Sequence, residues 1–136
     1  MAAAFYREEG FTTPPRELQH SLGELLDSAD ARVAVAEGRD SKIVGLAITT
    51  LSFGLEQGRI AELEDLFVRP AARHGGIGAA LIDSINWARS RGCRALELVV
   101  APTGGNVARL HRYYARHGVT DVGRRLLSSN LARQAE

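Results

Sequence analysis

The chain is poor in cysteine and lysine. Cys93 is the one cysteine, so no disulfide can form within the chain, which fits a reducing compartment. Lys42 is the one lysine, and arginine carries nearly all the positive charge; the net charge is only +1 over 136 residues and no basic block occurs. That balance argues against a dedicated nucleic-acid binder. Long hydrophobic runs are lacking too. The longest uncharged run, Ile43 to Leu55, spans thirteen residues and contains Gly45 and Gly54, too few to cross a bilayer. The opening stretch Met1 to Phe11 holds no apolar run long enough for a signal peptide. His74, His111 and His117 have no ligand partners at convincing spacing, so no metal site is expected. The expectation is a cytoplasmic chain away from membranes.

What is present is globular. Apolar residues make up 45% and charged residues 24%, enough for one core in a single domain over residues 1–136. Pro14 to Asp27 reads as a helix, with prolines in its first turn and Leu18, Leu22, Leu25 and Leu26 on one stripe. Phe5 to Gly10 reads as an earlier short helix. Arg32–Glu37, Lys42–Phe53 and Arg59–Val68 read as strands joined by "GRDS" and "GLEQG" turns, an antiparallel meander. Ile77–Arg91 reads as a helix closed by Gly92, with Leu81, Ile85 and Ala88 inward and Ile82 and Trp87 widening the face. Ala95–Val100 reads as a strand parallel to the third. Asn106–His117 reads as a helix capped by Asn106 and stopped by Gly118, and the stretch through about Leu127 as one more strand. The fold class is α/β with a mixed sheet flanked by helices.

Gly75, Gly76 and Gly78 crowd into four positions between the third strand and the next helix. A helix N-terminus offers unpaired amides and the positive end of the helix dipole, and glycine lets an anion approach them. A phosphate cradle and a packing turn are both consistent with the glycines alone. A P-loop is excluded because no Gly-Lys pair exists. A dinucleotide-binding turn is set aside: Leu81 stands where its third glycine is needed, Gly75 lies seven residues beyond Val68, and Glu97 falls inside a strand rather than at its end.

The remaining pattern is Arg73-x-x-Gly76-x-Gly78, preceded by Val68-x-Pro70. It resembles the acyl-CoA signature [QR]-x-x-G-x-[GA] of the GNAT superfamily of N-acyltransferases, and the surrounding elements from Arg32 to Gly118 fit that family. The resemblance implies acetyl-CoA as co-substrate. Its pyrophosphate would be held by the segment Arg73, His74, Gly75, Gly76, Ile77, Gly78 and Ala79, with Arg73 at the edge. Leu66, Phe67 and Val68 would border the acyl and pantetheine arm, the Val68 amide facing the acyl carbonyl, and Asn106 would bond the arm.

"AELEDLFV" places Glu62, Glu64 and Asp65 on one strand. Strict alternation puts Glu62, Glu64, Leu66 and Val68 on one face and Leu63, Asp65 and Phe67 on the other. A central strand covered on both sides should not carry charge on both, so at least one acid must open into a cleft or find a partner. Such a cleft favours a cationic substrate and supplies a base for a protonated amine. The stretch Val44 to Asp65 and then "LFV" looks like the spermidine/spermine N-acetyltransferases and their diamine relatives, whose matching carboxylates are here Glu64 and Asp65. Glu64 is the expected base, with Glu62 second; Glu64 and Asp65 are the expected amine contacts. Tyr114, four residues before Gly118, matches the tyrosine that protonates the leaving thiolate, while Tyr113 points about 100° away. The step from Asn106 to Tyr114 is eight residues where the family usually has seven.

The family usually opens with a strand, whereas "MAAAFYREEGF" reads as helix, so a first strand is expected to be missing. "RRLLSSNL" reads as a last strand, exchanged or paired in a homodimer. Protein or aminoacyl-tRNA acetylation, and a catalytically silent CoA-binding module, stay open as alternatives.

Overall fold

A computed structural model describes residues 14–69, 73–100 and 107–132. They fall into two compact units, one ending at Val99 and one beginning at Val100. The early helix expected at Phe5–Gly10, and Asn106, lie outside the described residues.

In the first unit, helix α1 (Pro15–Asp27) starts as its sequence dictates. Pro14 is extended (φ −61°, ψ 143°), and its carbonyl accepts from the amides of Glu17 and Leu18 at 3.0 and 3.1 Å. Proline at N1 sacrifices no helical bond there. Leu18, Leu22 and Leu25 are half-buried, but Leu26 is 63% exposed and leaves the expected stripe.

Strands β1 (Ala31–Glu37), β2 (Ile43–Gly54) and β3 (Gly58–Val68) form the antiparallel meander, and β4 (Ala95–Glu97) lies parallel to β3; the order is β1-β2-β3-β4. This is the mixed α/β sheet expected. The stretch in which a first strand is expected to be missing, residues 1–13, lies outside the described residues. Gly58, at φ +73°, closes the β2–β3 turn in a conformation that glycine adopts without strain.

Helix α2 (Arg73–Ser90) starts four residues earlier than its sequence suggests, so Arg73, His74, Gly75 and Gly76 form its first turn rather than a loop ahead of it. Glycine is a poor helix former. Packing overrides that preference: a Cβ at Gly76 would sit 3.2 Å from Val68 Cγ1, so the bare backbone lets the helix close on the end of β3. Further on, Leu81, Ser84 and Ala88 are the buried stripe, and Ile85 is only half-buried. The buried Ser84 hydroxyl donates to the Ala80 carbonyl at 2.9 Å. Gly92 (φ +77°) ends the helix as expected, donating to Arg89 O, while Cys93 N–H reaches Ala88 O at 3.0 Å.

The expected strand Ala95–Val100 is shorter in fact. β4 accompanies β3 only at Ile60↔Ala95, Ala61↔Leu96 and Glu62↔Glu97. From Leu63 to Val68 β3 continues along β2 alone, and Leu98–Val100 have left the ladder. A splay therefore opens at the carboxyl end of β3, the end on which α2 begins.

In the second unit, helix α3 (Val107–Arg116) stops at Gly118 (φ +82°), whose amide donates to Ala115 O, while Val119 N–H reaches Tyr114 O at 3.0 Å. Through the described residues to Ala132 no strand follows it, so neither the stretch to about Leu127 nor "RRLLSSNL" takes the strand conformation expected of it. Leu126, Leu127 and Leu131 are exposed there. Without a neighbouring strand to complete a ladder, an apolar segment of this length has nothing to fix it as β.

Candidate active site

The register of β2 against β3 builds the site. Ile48 pairs with Asp65 and Thr49 with Leu63, so Glu64 is skipped: it is the extra residue of a β-bulge. Thr50 pairs with Glu62. Ile48 and Thr50 are two residues apart and share a face. Their partners Glu62 and Asp65 therefore face the same way although they are three positions apart in the chain. The side chain of Glu64 turns to this face too, since Thr50 Oγ1 donates to Glu64 Oε1 at 2.9 Å. Glu97, opposite Glu62 in the parallel ladder, adds a fourth carboxylate.

This corrects the expected division of the strand. Leu66 and Val68 do not share the face of Glu62; they pair with Ala47 and Gly45 and lie with Ala61 and Leu63 on the opposite, α2-covered side. That side is fixed by Gly76 against Val68 and by Arg32, which reaches Asp83 of α2 with an Nη2–Oδ2 distance of 2.7 Å. The bulge resolves the charge problem: the acids collect on one face, and Ala61, Leu63 and Val68, all nearly inaccessible, go to the core.

The acidic face opens into a cleft of about 460 Å³ between the sheet and α1. Glu64, Asp65, Thr50 and Ile48 line one wall; Ser21, Glu24, Leu25 and Ser28 line the other. Glu62 sits beside Glu64 rather than on the cleft wall. Its carboxyl is held above the usual carboxylate range, first by desolvation, then by the negative charges of Glu64 and Glu97, and last by a hydrogen bond to Glu64. The arrangement is a Glu62 with a raised pKa behind a Glu64 that is oriented by Thr50.

On the other face, a cavity of about 280 Å³ lies under the first half of α2, lined among others by Gly45, Ala47, Val68, Gly76 and Ala79. Gly78 is buried. The side chains of Arg73, His74, Gly75 and Ile77 are outside what the structure describes. By helix geometry the amides of Arg73, His74 and Gly75 in the first turn have no intrahelical acceptor. From Ile77 on, through Gly78 and Ala79, the amides have acceptors within the helix. Leu66, Phe67 and Val68 form the end of β3 at the splay.

In the second unit, Tyr114 is half-buried and its phenol is held above the ordinary tyrosine value, first by burial and then by Tyr113. Tyr113 is engaged on three sides: by the Tyr114 ring at 5.8 Å, by His117 at 5.0 Å and by the Arg116 guanidinium at 5.9 Å. Ser21, Glu24, Ser28 and Thr50 escaped sequence reading as site residues. The polar positions on α1 read as a solvated helix face, and only the register pairs Thr50 with the acids.

Comparison with known proteins agrees with this geometry. The model of the acetyltransferase (GNAT) family matches residues 2–119. The aminoglycoside N(6')-acetyltransferase type 1 of Klebsiella aerogenes is 35% identical over 85 residues, covering 57% of this chain and 56% of that protein, so the match spans little more than half the relative's length. The integron cassette protein HFX_CASS3, from the mobile metagenome of Cole Harbour Salt Marsh, superposes with a TM-score of 0.76 at 33% identity over 96% of this chain and 80% of its own. AAC(6')-Iy, solved with the bisubstrate analogue CoA-S-monomethyl-acetylneamine, superposes with a TM-score of 0.72 over 88% of this chain and 82% of its own; at 18% identity that likeness is one of fold. Polyamine enzymes are not among these three. With its mixed sheet splayed at the end of β3, its glycine-bearing helix start and a family match over most of its length, the chain belongs to the GNAT acetyltransferase family.

Proposed function

We propose that the chain is an N-acetyltransferase, working as one domain, that moves an acetyl group from acetyl-CoA to a primary amine of a small cationic substrate by direct attack. The observation that carries this is the bulge at Glu64, which gathers Glu62, Glu64 and Asp65 on one face and sets Glu64 and Asp65 on the wall of one cleft. An alkylamine with a pKa near ~10 is mostly protonated at neutral pH and must lose a proton before it can attack. Glu64 takes that proton, and Asp65 holds the ammonium beforehand. The freed nitrogen attacks the thioester carbonyl, which lies by the backbone of Val68. The carbon–sulfur bond breaks, Tyr114 gives its proton to the departing thiolate, and the second proton of the acylated nitrogen, lost as the amide forms, returns through solvent to the tyrosinate. Burial suits Tyr114 to this role, because it keeps the phenol protonated. The first turn of α2 receives the pyrophosphate, where free amides and the helix dipole favour an anion.

Within cationic amines we favour an amino sugar over an aliphatic polyamine. The hydroxyls of Ser21, Ser28 and Thr50 line the cleft beside the acids, and they match a hydroxylated amine. The relative from Klebsiella aerogenes, named for aminoglycosides, points the same way. The test follows free thiol released from acetyl-CoA in the presence of neamine, 6-amino-6-deoxyglucose, spermidine and lysine peptides. Amino sugars should turn over fastest, and Glu64→Gln should lower kcat by roughly 10²-fold or more. Acetyl-CoA binding without turnover of any amine would leave a silent CoA-binding module instead.

A further inference from the structure

We propose that Glu24 on α1 is a specificity-determining residue that holds a second ammonium group of the acceptor, so that the enzyme selects compounds carrying several amino groups. The inference rests on the acetyltransferase reading and refines which amine it takes.

The cleft has two walls of different origin. The sheet wall carries Glu64 and Asp65, which serve the amine that reacts. The helix wall carries Glu24, one turn after Ser21 and one turn before Ser28, with Leu25 beside it and Ile48 as apolar surface on the facing wall. Among the described residues, neither lysine nor arginine lines the cleft. A monoamine needs one carboxylate to meet its charge. Glu24 on the opposite wall adds negative potential that a single ammonium cannot use. A cleft of about 460 Å³ has room for a ligand large enough to touch both walls.

Glu24 is also free to exchange partners. Its carboxylate lies 3.3 Å from His20 Nε2 one turn earlier, and both side chains are about three-quarters exposed. An exposed pair of this kind is weak, so a substrate ammonium can take the place of the imidazole. The helix fixes the direction of the side chain, and a ligand that enters the cleft excludes water from the new contact. The contact is therefore stronger in the complex than the one it replaces.

The experiment compares neamine, which carries several amino groups, with 6-amino-6-deoxyglucose, which carries one. Steady-state rates and calorimetric binding in the presence of CoA are measured for the wild type, Glu24→Gln and His20→Ala. Glu24→Gln should weaken neamine binding and raise its KM about three- to tenfold, with kcat and the KM of the monoamine nearly unchanged. His20→Ala should leave neamine binding equal or slightly tighter. If Glu24→Gln affects both amines alike, or neither, the proposal is overturned while the acetyltransferase reading stands. If acetyl-CoA binds but neither amine binds or turns over, both fall.

Discussion

Thr50 donates a 2.9 Å hydrogen bond to Glu64, the residue that the β-bulge extrudes from β3. A bulged residue has lost the ladder pairing that would orient it, and the threonine hydroxyl restores one fixed contact from the neighbouring strand. Thr50→Val keeps the shape and removes the donor. Such a bond to a charged acceptor contributes about 1 kcal/mol where water competes. The expected result is a kcat/KM three- to tenfold lower. An unchanged rate in the thiol-release assay would remove Thr50 from the site.

Glu62 links the site to stability. Its folded pKa lies above the unfolded value, because desolvation and then Glu64 and Glu97 disfavour the charged form. The folded state therefore binds the proton more tightly than the unfolded one. The associated stability is fully present below the unfolded pKa and is lost as pH rises through the folded one. Glu62→Gln should accordingly raise Tm at neutral pH and give no gain at roughly pH 3, where the wild-type carboxyl is protonated in both states. Glu97→Gln, which removes one negative neighbour, should move the Glu62 titration to lower pH in carboxyl NMR. A titration that moves upward or stays put contradicts this account.

The approach of Gly76 to Val68 is a packing constraint beneath a binding element. A Cβ there would lie 3.2 Å from Val68 Cγ1, and Val68 is only 6% exposed. Gly76→Val should destabilise by about 1–3 kcal/mol through overpacking. It should also weaken acetyl-CoA binding by displacing the start of α2. Val68→Ala in the same chain should recover part of both losses, which a double-mutant cycle in thermal melts and calorimetry measures. Independent, additive effects would show that the two residues do not share this space.

Arg32 and Asp83 tie β1 to α2. Their pair is 2.7 Å long, the arginine is only 27% exposed, and its Nη1 is buried without a hydrogen-bond partner among the described residues. Trp87 underlies the guanidinium at 5.8 Å. Asp83→Ala leaves that charge poorly compensated and should cost about 1–2 kcal/mol. Arg32→Met removes both the charge and its desolvation and should cost less. Melting curves at low and high salt check the order; equal losses for the two variants would contradict it.

Tyr114→Phe and Tyr113→Phe separate the two tyrosines. The raised pKa of Tyr114 keeps its proton available over the working pH range. Tyr114→Phe should lower kcat roughly 10–10²-fold while acetyl-CoA affinity holds. Tyr113→Phe should leave kcat within about twofold, because an aromatic ring at that position keeps the contacts with His117 and Arg116. Equal rates for both variants would leave the leaving thiolate without this acid.

The sequence by itself determined the local structure. Hydrophobic alternation and the two glycine-bearing turns specified the meander of β1, β2 and β3. Gly92 and Gly118 specified the ends of α2 and α3, because a left-handed residue there closes the last turn for purely local reasons. The [QR]-x-x-G-x-[GA] motif and the acids of "ELED" likewise announced the family. Tertiary structure decided what depends on two segments at once. Strict alternation assigns Asp65 to the wrong face, since a bulge is visible only in the register of β2 against β3. Helical propensity starts α2 too late, since the close contact between Gly76 and Val68 outweighs glycine's poor preference for helix. The three-residue length of β4 and the splay beyond it follow from where two strands part. So does the place of Glu24, which in the sequence is one more charge on a solvated helix and in the fold lines the far wall of the cleft.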